Sequence, residues 1–318
     1  MTHNILLIGG TGFIGRHIVS KLAQLDCRIS VVTRRRDRAR HLMMLPTVNV
    51  IEADVNVDGV LQQVMQDKTA VINLVGILHS RSGSPYGPDF AKIHVELPRK
   101  IAAAMHIAGV SRLLHISALG ASAQGPSMYS RSKAAGEAAI KASGLQWTIF
   151  QPSVVFGPED HFLNTFARLA KWLPAFPLAG SNSRLQPVYV EDVAQAFVQA
   201  LDDLNAIGKT FELAGPRIYT LKELVQISSA AATGCVRPVL PLPLIVGKLQ
   251  ALFFELLPGS PLMSRDNLDS LKVDNVSGVQ GLQSLGITPT ALEPIAAQYL
   301  AGKHPRTRYD AYRIDHRH

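Results

Sequence analysis

The sequence predicts an α/β fold: a doubly wound parallel sheet with helices on both faces and a small C-terminal cap. Three observations carry that expectation. Six short, apolar, β-branched-rich segments alternate with helix-like stretches across the first half of the chain. A glycine-rich turn follows the first of these segments and opens a helix. After Pro152 the alternation loosens, and prolines and glycines punctuate "FGPEDHF", "LPAFPLAGS" and "LAGPRIY", as loops covering the open edge of a sheet would be.

In order, the strand-like segments are "NILLIGG", "CRISVVT", "VNVIEAD", "AVINLVG", "SRLLHIS" and "LQWTIFQ". Helical stretches are expected between them, near 12–25, 36–45, 57–66, 90–108 and 129–143. A later run, "PLIVGKLQALFFELLP" (243–258), places apolar residues at 245, 249, 252, 253 and 256 on one helical stripe. Lys248 and Glu255 share another face. The stripe reads either as packing on the protein's own cap or as lying on a membrane or a partner subunit.

Composition narrows the class. With 47% hydrophobic and 18% charged residues in 318, the chain is an ordinary globular one. Its two cysteines, Cys27 and Cys235, lie far apart, and no HExxH occurs, so no metal site and no disulfide framework are expected. A strand already begins by residue 5 without a preceding secretory signal, and no run of eighteen apolar residues follows. Both point to a cytoplasmic protein, with the inner face of the cytoplasmic membrane as a peripheral location. The net charge of +8 is concentrated in "RRRDRAR" (34–40) and in the tail from Lys303 to His318. Such patches meet anionic partners or simply solvate a surface. Aromatics are only 6% and are not interleaved with the basic residues, which disfavours nucleic acid.

The glycine turn, "GGTGFIG", reads Gly9, Gly10, Thr11, Gly12, Phe13, Ile14, Gly15. Gly10-x-Gly12-x-x-Gly15 is the dinucleotide fingerprint, with Gly9 adding a second frame. A tight glycine turn lets backbone N–H groups approach a pyrophosphate at the start of the helix. The main domain, expected over 1–235 with cap elements interleaved from about 157, is therefore read as a Rossmann-type NAD(P)-binding domain, and 236–318 as cap and basic tail. An NAD site usually has an acid at the end of the second strand to hold the ribose hydroxyls. Here "RISVVT" runs into Arg34 and Arg35, a pattern suited to a 2′-phosphate, so NADP(H) is expected in preference to NAD(H). A helix beginning within the five arginines of 34–40 would oppose their charge, and a bound phosphate would offset it. Asp54, after the third strand, suits either the adenine amino group or a helix N-terminus. Val75 and Gly76 end the fourth strand, where backbone would pass beside the cofactor ribose.

"MYSRSKAAGE" (128–137) puts Tyr129 and Lys133 on one face of a helix, one turn apart. A phenol titrates near 10, so a tyrosinate at neutral pH needs a nearby cation, and Lys133 is placed to supply it. A hydroxyl after the fifth strand, Ser117, would orient a substrate carbonyl. With these three as the catalytic set, hydride transfer needs only a tyrosine acid/base, the nucleotide supplying the redox chemistry. "HISALG" lacks a Gly-x-Ser-x-Gly elbow, which disfavours a hydrolase, and His115 and His161 read as packing and loop residues.

"GGTGFIG", "YSRSK", "QPSVVFGPED" and "PVYVEDVA" occur in this order, and with them the chain resembles the short-chain dehydrogenase/reductase superfamily in its extended or atypical branch. More narrowly, "YSRSKAAGE", "FGPEDHFLNTFA", "LQPVYVEDVAQA" and "LLPGSPLMSRDNLDSLKVDNV" are similar to the NAD(P)H-binding accessory subunits of respiratory complex I and their bacterial relatives. The resemblance implies cofactor contact at Gly9, Gly12, Gly15, Arg34, Lys133 and Pro152, with Val155 in the same proline loop. Ser117 departs from the pattern, lying nearer to Tyr129 than is usual in the extended enzymes. Two functions are therefore expected as alternatives. One is an NADP(H)-dependent oxidoreductase acting on an unidentified carbonyl or alcohol, with a lipophilic quinone-pathway compound as one candidate. The other is a non-catalytic accessory or assembly factor that holds NADPH structurally and touches a respiratory complex or membrane through 243–258. A redox-sensing regulator is a third, weaker class.

Overall fold

The computed structural model describes residues 3–256 and 263–301. The chain first lays down β1 (His3–Ile8), α1 (Phe13–Leu22), β2 (Cys27–Thr33), β3 (Val48–Glu52), α2 (Val60–Val64) and β4 (Ala70–Asn73). There follow α3 (Pro88–Phe90), a π-helical turn over Ala91–Glu96, α4 (Leu97–Ala108), β5 (Arg112–Ile116), α5 (Met128–Lys141) and β6 (Gln146–Pro152). Beyond Ser153 come β7 (Val155–Phe156), α6 (Leu163–Ala170), β8 (Phe176–Ala179), β9 (Arg184–Leu185), β10 (Val188–Tyr189), α7 (Val190–Asp202) and β11 (Lys209–Leu213). The remainder is β12 (Tyr219–Thr220), α8 (Leu221–Thr233), β13 (Val239–Leu242), α9 (Leu244–Leu256), α10 (Arg265–Ser270), α11 (Gly281–Ser284) and α12 (Leu292–Leu300).

Two compact units divide the chain. The first takes residues up to 153 together with 190–213 and 277–288. Its sheet has seven strands in the order β11-β6-β5-β4-β1-β2-β3, every pair parallel. A parallel sheet needs both faces covered, and the central strands β1, β2 and β4 are accordingly apolar and largely buried. One face packs Leu6, Ile8, Val71 and Ile149 against Ile101 and Met105 of α4. On α1 the buried residues are Ile18, Val19 and Leu22, and this helix packs against α7. His17 Nδ1 lies within hydrogen-bonding distance of Glu191 Oε1, at 2.5 Å, and Lys21 Nζ pairs with Oε2 at 3.2 Å, contacts that fix α7 on α1.

The buried guanidinium of Arg112 ties the sheet to the end of α7. Its donors meet the carbonyls of Leu201, Ala200 and Gln146 and the Thr148 hydroxyl. The bonds to Ala200 and Leu201 satisfy carbonyls that the C-terminus of α7 leaves open.

The second unit takes 154–189, 214–276 and 289 onward. Its core is Phe156, Leu163, Ala167, Leu178, Leu224, Val225, Tyr299 and Leu300. Asp160 organises it: Oδ1 accepts from the Leu163 N–H at 2.6 Å, and Oδ2 from the Tyr299 hydroxyl at 2.6 Å. Within this unit α9 packs on β8 through Ala251 and Gly247, where a Cβ on Gly247 would come 2.3 Å from the Ala179 Cβ. Lys248 pairs with Asp269 and Glu255 with Arg265. The opposite side of α9 leaves Ile245 77% and Leu249 64% exposed, with Leu244, Val246 and Leu252 also exposed. Of the sequence-expected stripe, 245, 249 and 252 therefore face solvent. The side chains of Phe253 and Leu256, residues 257–258 and the basic tail from Lys303 lie outside the described residues. Among the described residues no helix is long and apolar enough to cross a membrane.

Three expectations are corrected. The helix expected over 36–45 is a single 3₁₀ turn, Arg36–Ala39, so no α-helix begins within the arginine run and the helix-dipole penalty argued for it does not arise. The helix of 90–108 opens as a π-helical turn before becoming α-helical at Leu97. A seventh strand, Lys209–Leu213, was not expected. It lies at the sheet edge against β6, where Lys209, Thr210 and Glu212 tolerate solvent.

Candidate functional site

The glycine turn closes against β1. Gly12 N–H donates to the Gly9 carbonyl at 3.1 Å, and α1 starts at Phe13. Gly9 has φ +88°, a conformation that favours glycine. At Gly15 a Cβ would stand 2.5 Å from the Gly9 carbonyl oxygen, so the turn folds back on the helix too closely for any side chain. Thr11 and Phe13 flank this bend. The first helical turn carries no acid of its own to compete for the α1 N-terminus.

At the end of β2, Thr33 Oγ1 accepts from the Arg35 N–H at 3.3 Å and so turns the chain. Arg34 and Arg35 are exposed, and Arg35 pairs with Asp37 at 2.8 Å. Arg34 acts instead on Asp54: it is among the charges that lower the carboxyl's pKa, after the hydrogen bonds from Asn56. Asp54 Oδ1 accepts from both the backbone N–H and the side-chain amide of Asn56, at 3.0 and 2.6 Å. It closes an Asx turn rather than a helix N-terminus, since α2 begins only at Val60.

At the C-terminal ends of β4 and β5 lies a buried polar cluster. The register places Asn73 opposite His115, and Asn73 Nδ2 donates to His115 Nδ1 at 3.1 Å while its Oδ1 accepts from the Val75 N–H at 3.2 Å. α5 starts at an N-cap serine, Ser127, whose Oγ accepts from the Ser130 N–H, so that Tyr129 and Lys133 fall on the inward face. Lys133 Nζ is 3.4 Å from the Ile116 carbonyl and 5.9 Å from the centre of the Tyr129 ring. A Cβ on Gly76 would lie 3.2 Å from that Nζ, a tight contact that the glycine avoids where the β4 loop passes the ammonium. Ser117 is buried, and among the described residues its Oγ has no hydrogen-bond partner. An orphaned buried hydroxyl costs about 1–3 kcal/mol, which suits a position awaiting a ligand's polar group.

The electrostatics correct one expectation. Burial pushes the Tyr129 phenol up to about 12, not down, because Lys133 meets the ring face while the phenol is desolvated. Burial likewise brings the Lys133 ammonium down to about 8, against an opposing pull from Glu137. His94 and His115 are held neutral, at about 2 and about 3, by burial and then by the Lys133 charge. No tyrosinate at neutral pH follows from these groups alone.

Of the remaining sequence-expected residues, Pro152 ends β6, and Val155 pairs with Val188 in the second unit. His161 is exposed. Among the described residues no group of histidines, cysteines or carboxylates could hold a metal ion. Sequence reasoning missed His94, Asn73, Ser132 and Gly136. Gly136 offered a signal, since glycine inside a helix costs about 0.5–1 kcal/mol and needs a reason. Here the reason is close packing: a Cβ would come 2.1 Å from the His94 carbonyl oxygen.

The glycine turn, the parallel sheet and the Tyr129–Lys133 helix carry one signature, and the profile of the NAD dependent epimerase/dehydratase family matches residues 5–214. The chain belongs to that family. Over 296 residues it is 35% identical to NADH dehydrogenase [ubiquinone] 1 alpha subcomplex subunit 9, mitochondrial, of Mus musculus, covering 90% of this chain and 77% of the mouse protein. It is 30% identical over 194 residues to the ceramide reductase of Caulobacter vibrioides, covering 61% of this chain and 59% of that protein. Among solved structures, MoeE5 in complex with UDP-glucose and NAD superposes with a TM-score of 0.73 at 20% identity, over 97% of this chain and 99% of that one. That likeness is one of fold.

Proposed function

We propose that this chain is an NADP(H)-binding accessory or assembly subunit of a respiratory NADH:ubiquinone oxidoreductase, with the nucleotide held as a structural ligand. The observation that carries this reading is the 35% identity over nine-tenths of the chain to the mouse complex I subunit. The site supports it: a desolvated Tyr129 with a phenol near 12 is poorly poised for proton transfer at neutral pH. Gly9–Gly15 would hold the pyrophosphate, Arg34 and Arg35 the 2′-phosphate, and Val75, Gly76 and Lys133 the ribose at the nicotinamide end, with Asp54, Pro152 and Val155 bordering the nucleotide. The exposed side of α9, with Ile245 and Leu249, would meet the respiratory complex or the membrane beside it.

A second reading, an oxidoreductase with Tyr129 as acid/base, Lys133 beside it and Ser117 orienting a carbonyl, is favoured by the ceramide reductase likeness and the orphaned Ser117 hydroxyl. Complementation separates the two. In cells lacking the gene, Tyr129→Phe should restore respiratory-complex assembly and NADH:quinone activity as wild type does, and Ile245→Ser with Leu249→Ser should fail to. A Tyr129→Phe variant that fails while still folding and binding NADPH would overturn the accessory reading, since losing a general acid/base costs about 10²–10⁴-fold in turnover.

A further inference from the structure

The buried imidazole of His94 has no part in the reading above. It sits in the π-helical turn Ala91–Glu96, an arrangement that is rare and concentrated at functional sites. Both ring nitrogens are used. Nε2 accepts from the Ile77 N–H at 3.1 Å, and Nδ1 lies 2.8 Å from Ser132 Oγ. The Ser132 hydroxyl in turn donates to the Tyr129 carbonyl at 2.8 Å. An amide N–H can only donate, so Nε2 must carry the lone pair; the Ser132 hydrogen is already committed, so Nδ1 must carry the proton. The ring stacks on Phe90, with centroids 5.1 Å apart, and meets Tyr129 edge-on at 5.6 Å. Gly136 lets α5 approach the His94 backbone, and a Cβ on Gly76 would stand 3.7 Å from the ring's Nε2 and 3.2 Å from the Lys133 ammonium.

We infer that His94 is a positioning residue: one neutral tautomer clamps the Gly76–Ile77 loop to the Tyr129–Lys133 helix, making the two walls of the nicotinamide-ribose pocket a single frame. The inference rests on the nucleotide-binding reading for its ligand, but the clamp itself is a property of the nucleotide-free chain. Ile77 and Ser132 belong to segments 55 residues apart, from 77 to 132, and the imidazole is what bonds to both. Without it the loop has lost its bond to the helix at the point where Lys133 and Gly76 approach. The adenosine half of a dinucleotide, gathered by the glycine turn and Arg34, depends on other elements. The clamp should therefore matter only to the nicotinamide half.

The test uses two probes on the full chain, NADPH and 2′-phospho-ADP-ribose, which lacks the nicotinamide riboside. His94→Leu should speed Ile77 amide exchange at least about tenfold in nucleotide-free protein, since a native hydrogen bond protects that amide. It should weaken NADPH about tenfold by calorimetry while leaving 2′-phospho-ADP-ribose within about twofold, the loss of about one hydrogen bond to a preorganised wall. His94→Gln, whose Oε1 can accept from Ile77, should recover most of both effects, which a merely structural loss would not. Unchanged Ile77 exchange, or equal weakening of both probes without recovery by Gln, overturns the clamp. If wild type fails to bind NADPH, the nucleotide reading falls, and Ile77 exchange still decides the clamp. Should His94→Leu not fold, Ser132→Ala removes only the hydroxyl relay. It should then show the same contrast between probes at about threefold, and its absence overturns the inference.

Discussion

Lys133 is costly where it stands, and replacing it by methionine should stabilise the protein. The side chain is buried, its pKa is brought from 10.5 down to about 8 by desolvation, and its hydrogen-bond acceptor is a carbonyl at 3.4 Å. At about 1.4 kcal/mol per tenfold change in proton affinity, that depression corresponds to about 3 kcal/mol of folding free energy forgone while the group is charged in both states. Methionine fills a similar volume without the charge. It forfeits the bond to Ile116 and the contact with the Tyr129 ring, together about 1–2 kcal/mol. A net gain of about 1–2 kcal/mol at pH 7 remains, which for a unit of this size is about 2–8 °C in melting temperature.

The pH dependence has a definite sign. Below about pH 8 both folded and unfolded states carry the proton and the penalty is whole. Between about 8 and 10.5 the unfolded chain binds the proton and the folded one releases it, so wild-type stability rises relative to the variant by up to about 1.4 kcal/mol per pH unit. Urea unfolding of both proteins at pH 7.0, 8.5 and 9.5, followed by circular dichroism, reads this difference, and titrations common to both cancel. A Lys133→Met protein less stable than wild type at pH 7, or an advantage that does not shrink by pH 9.5, refutes the reasoning. The same variant should bind NADPH more weakly. A residue that lowers stability and raises affinity is one retained for its ligand.

Two further outcomes follow from the charges at the site. His94 and His115 are neutral in the fold, at about 2 and about 3, so stability is present above pH 6.5 and is lost as the pH falls below it; about 2–3 kcal/mol should go between pH 6 and 5 by urea unfolding, and His94→Gln should remove about half of that loss. Arg34→Ala with Arg35→Ala should erase a roughly tenfold preference for NADPH over NADH in calorimetry, with the larger share from Arg34, because Arg35 is already paired with Asp37; wild type binding both nucleotides equally would sink the argument.

The scaffold was legible because apolar β-branched runs have few alternatives to a buried parallel strand, and a glycine turn between strand and helix has few alternatives to a dinucleotide turn. β11 escaped for the converse reason: "KTFEL" shows only Phe211 and Leu213 as core residues, and an edge strand needs no more. The 36–45 helix failed because Thr33 and Asp37 satisfy the local backbone and Arg35 in a turn, leaving only four residues of 3₁₀ geometry.

The chemistry of the site was less legible than its location. Tyr129 and Lys133 are named by their spacing, and spacing puts them on one helical face. Whether the phenol is acidic depends on what surrounds the pair, and that comes from elsewhere: Phe90 and His94, from the α3 and π-helical segment, meet the Tyr129 ring, and the Ile116 carbonyl of β5 holds the Lys133 ammonium. "AKIHVE" reads as ordinary helix, and a single histidine within it gives no sign that its two nitrogens will bind segments on either side. The same two motif residues can therefore serve a reductase, if a ligand brings the Lys133 charge to the phenol oxygen, or a subunit that only holds its nucleotide, if Lys133 stays on the ring face. Packing around the pair, not the pair itself, decides between those functions, and the residues that set the packing are the ones a motif does not contain.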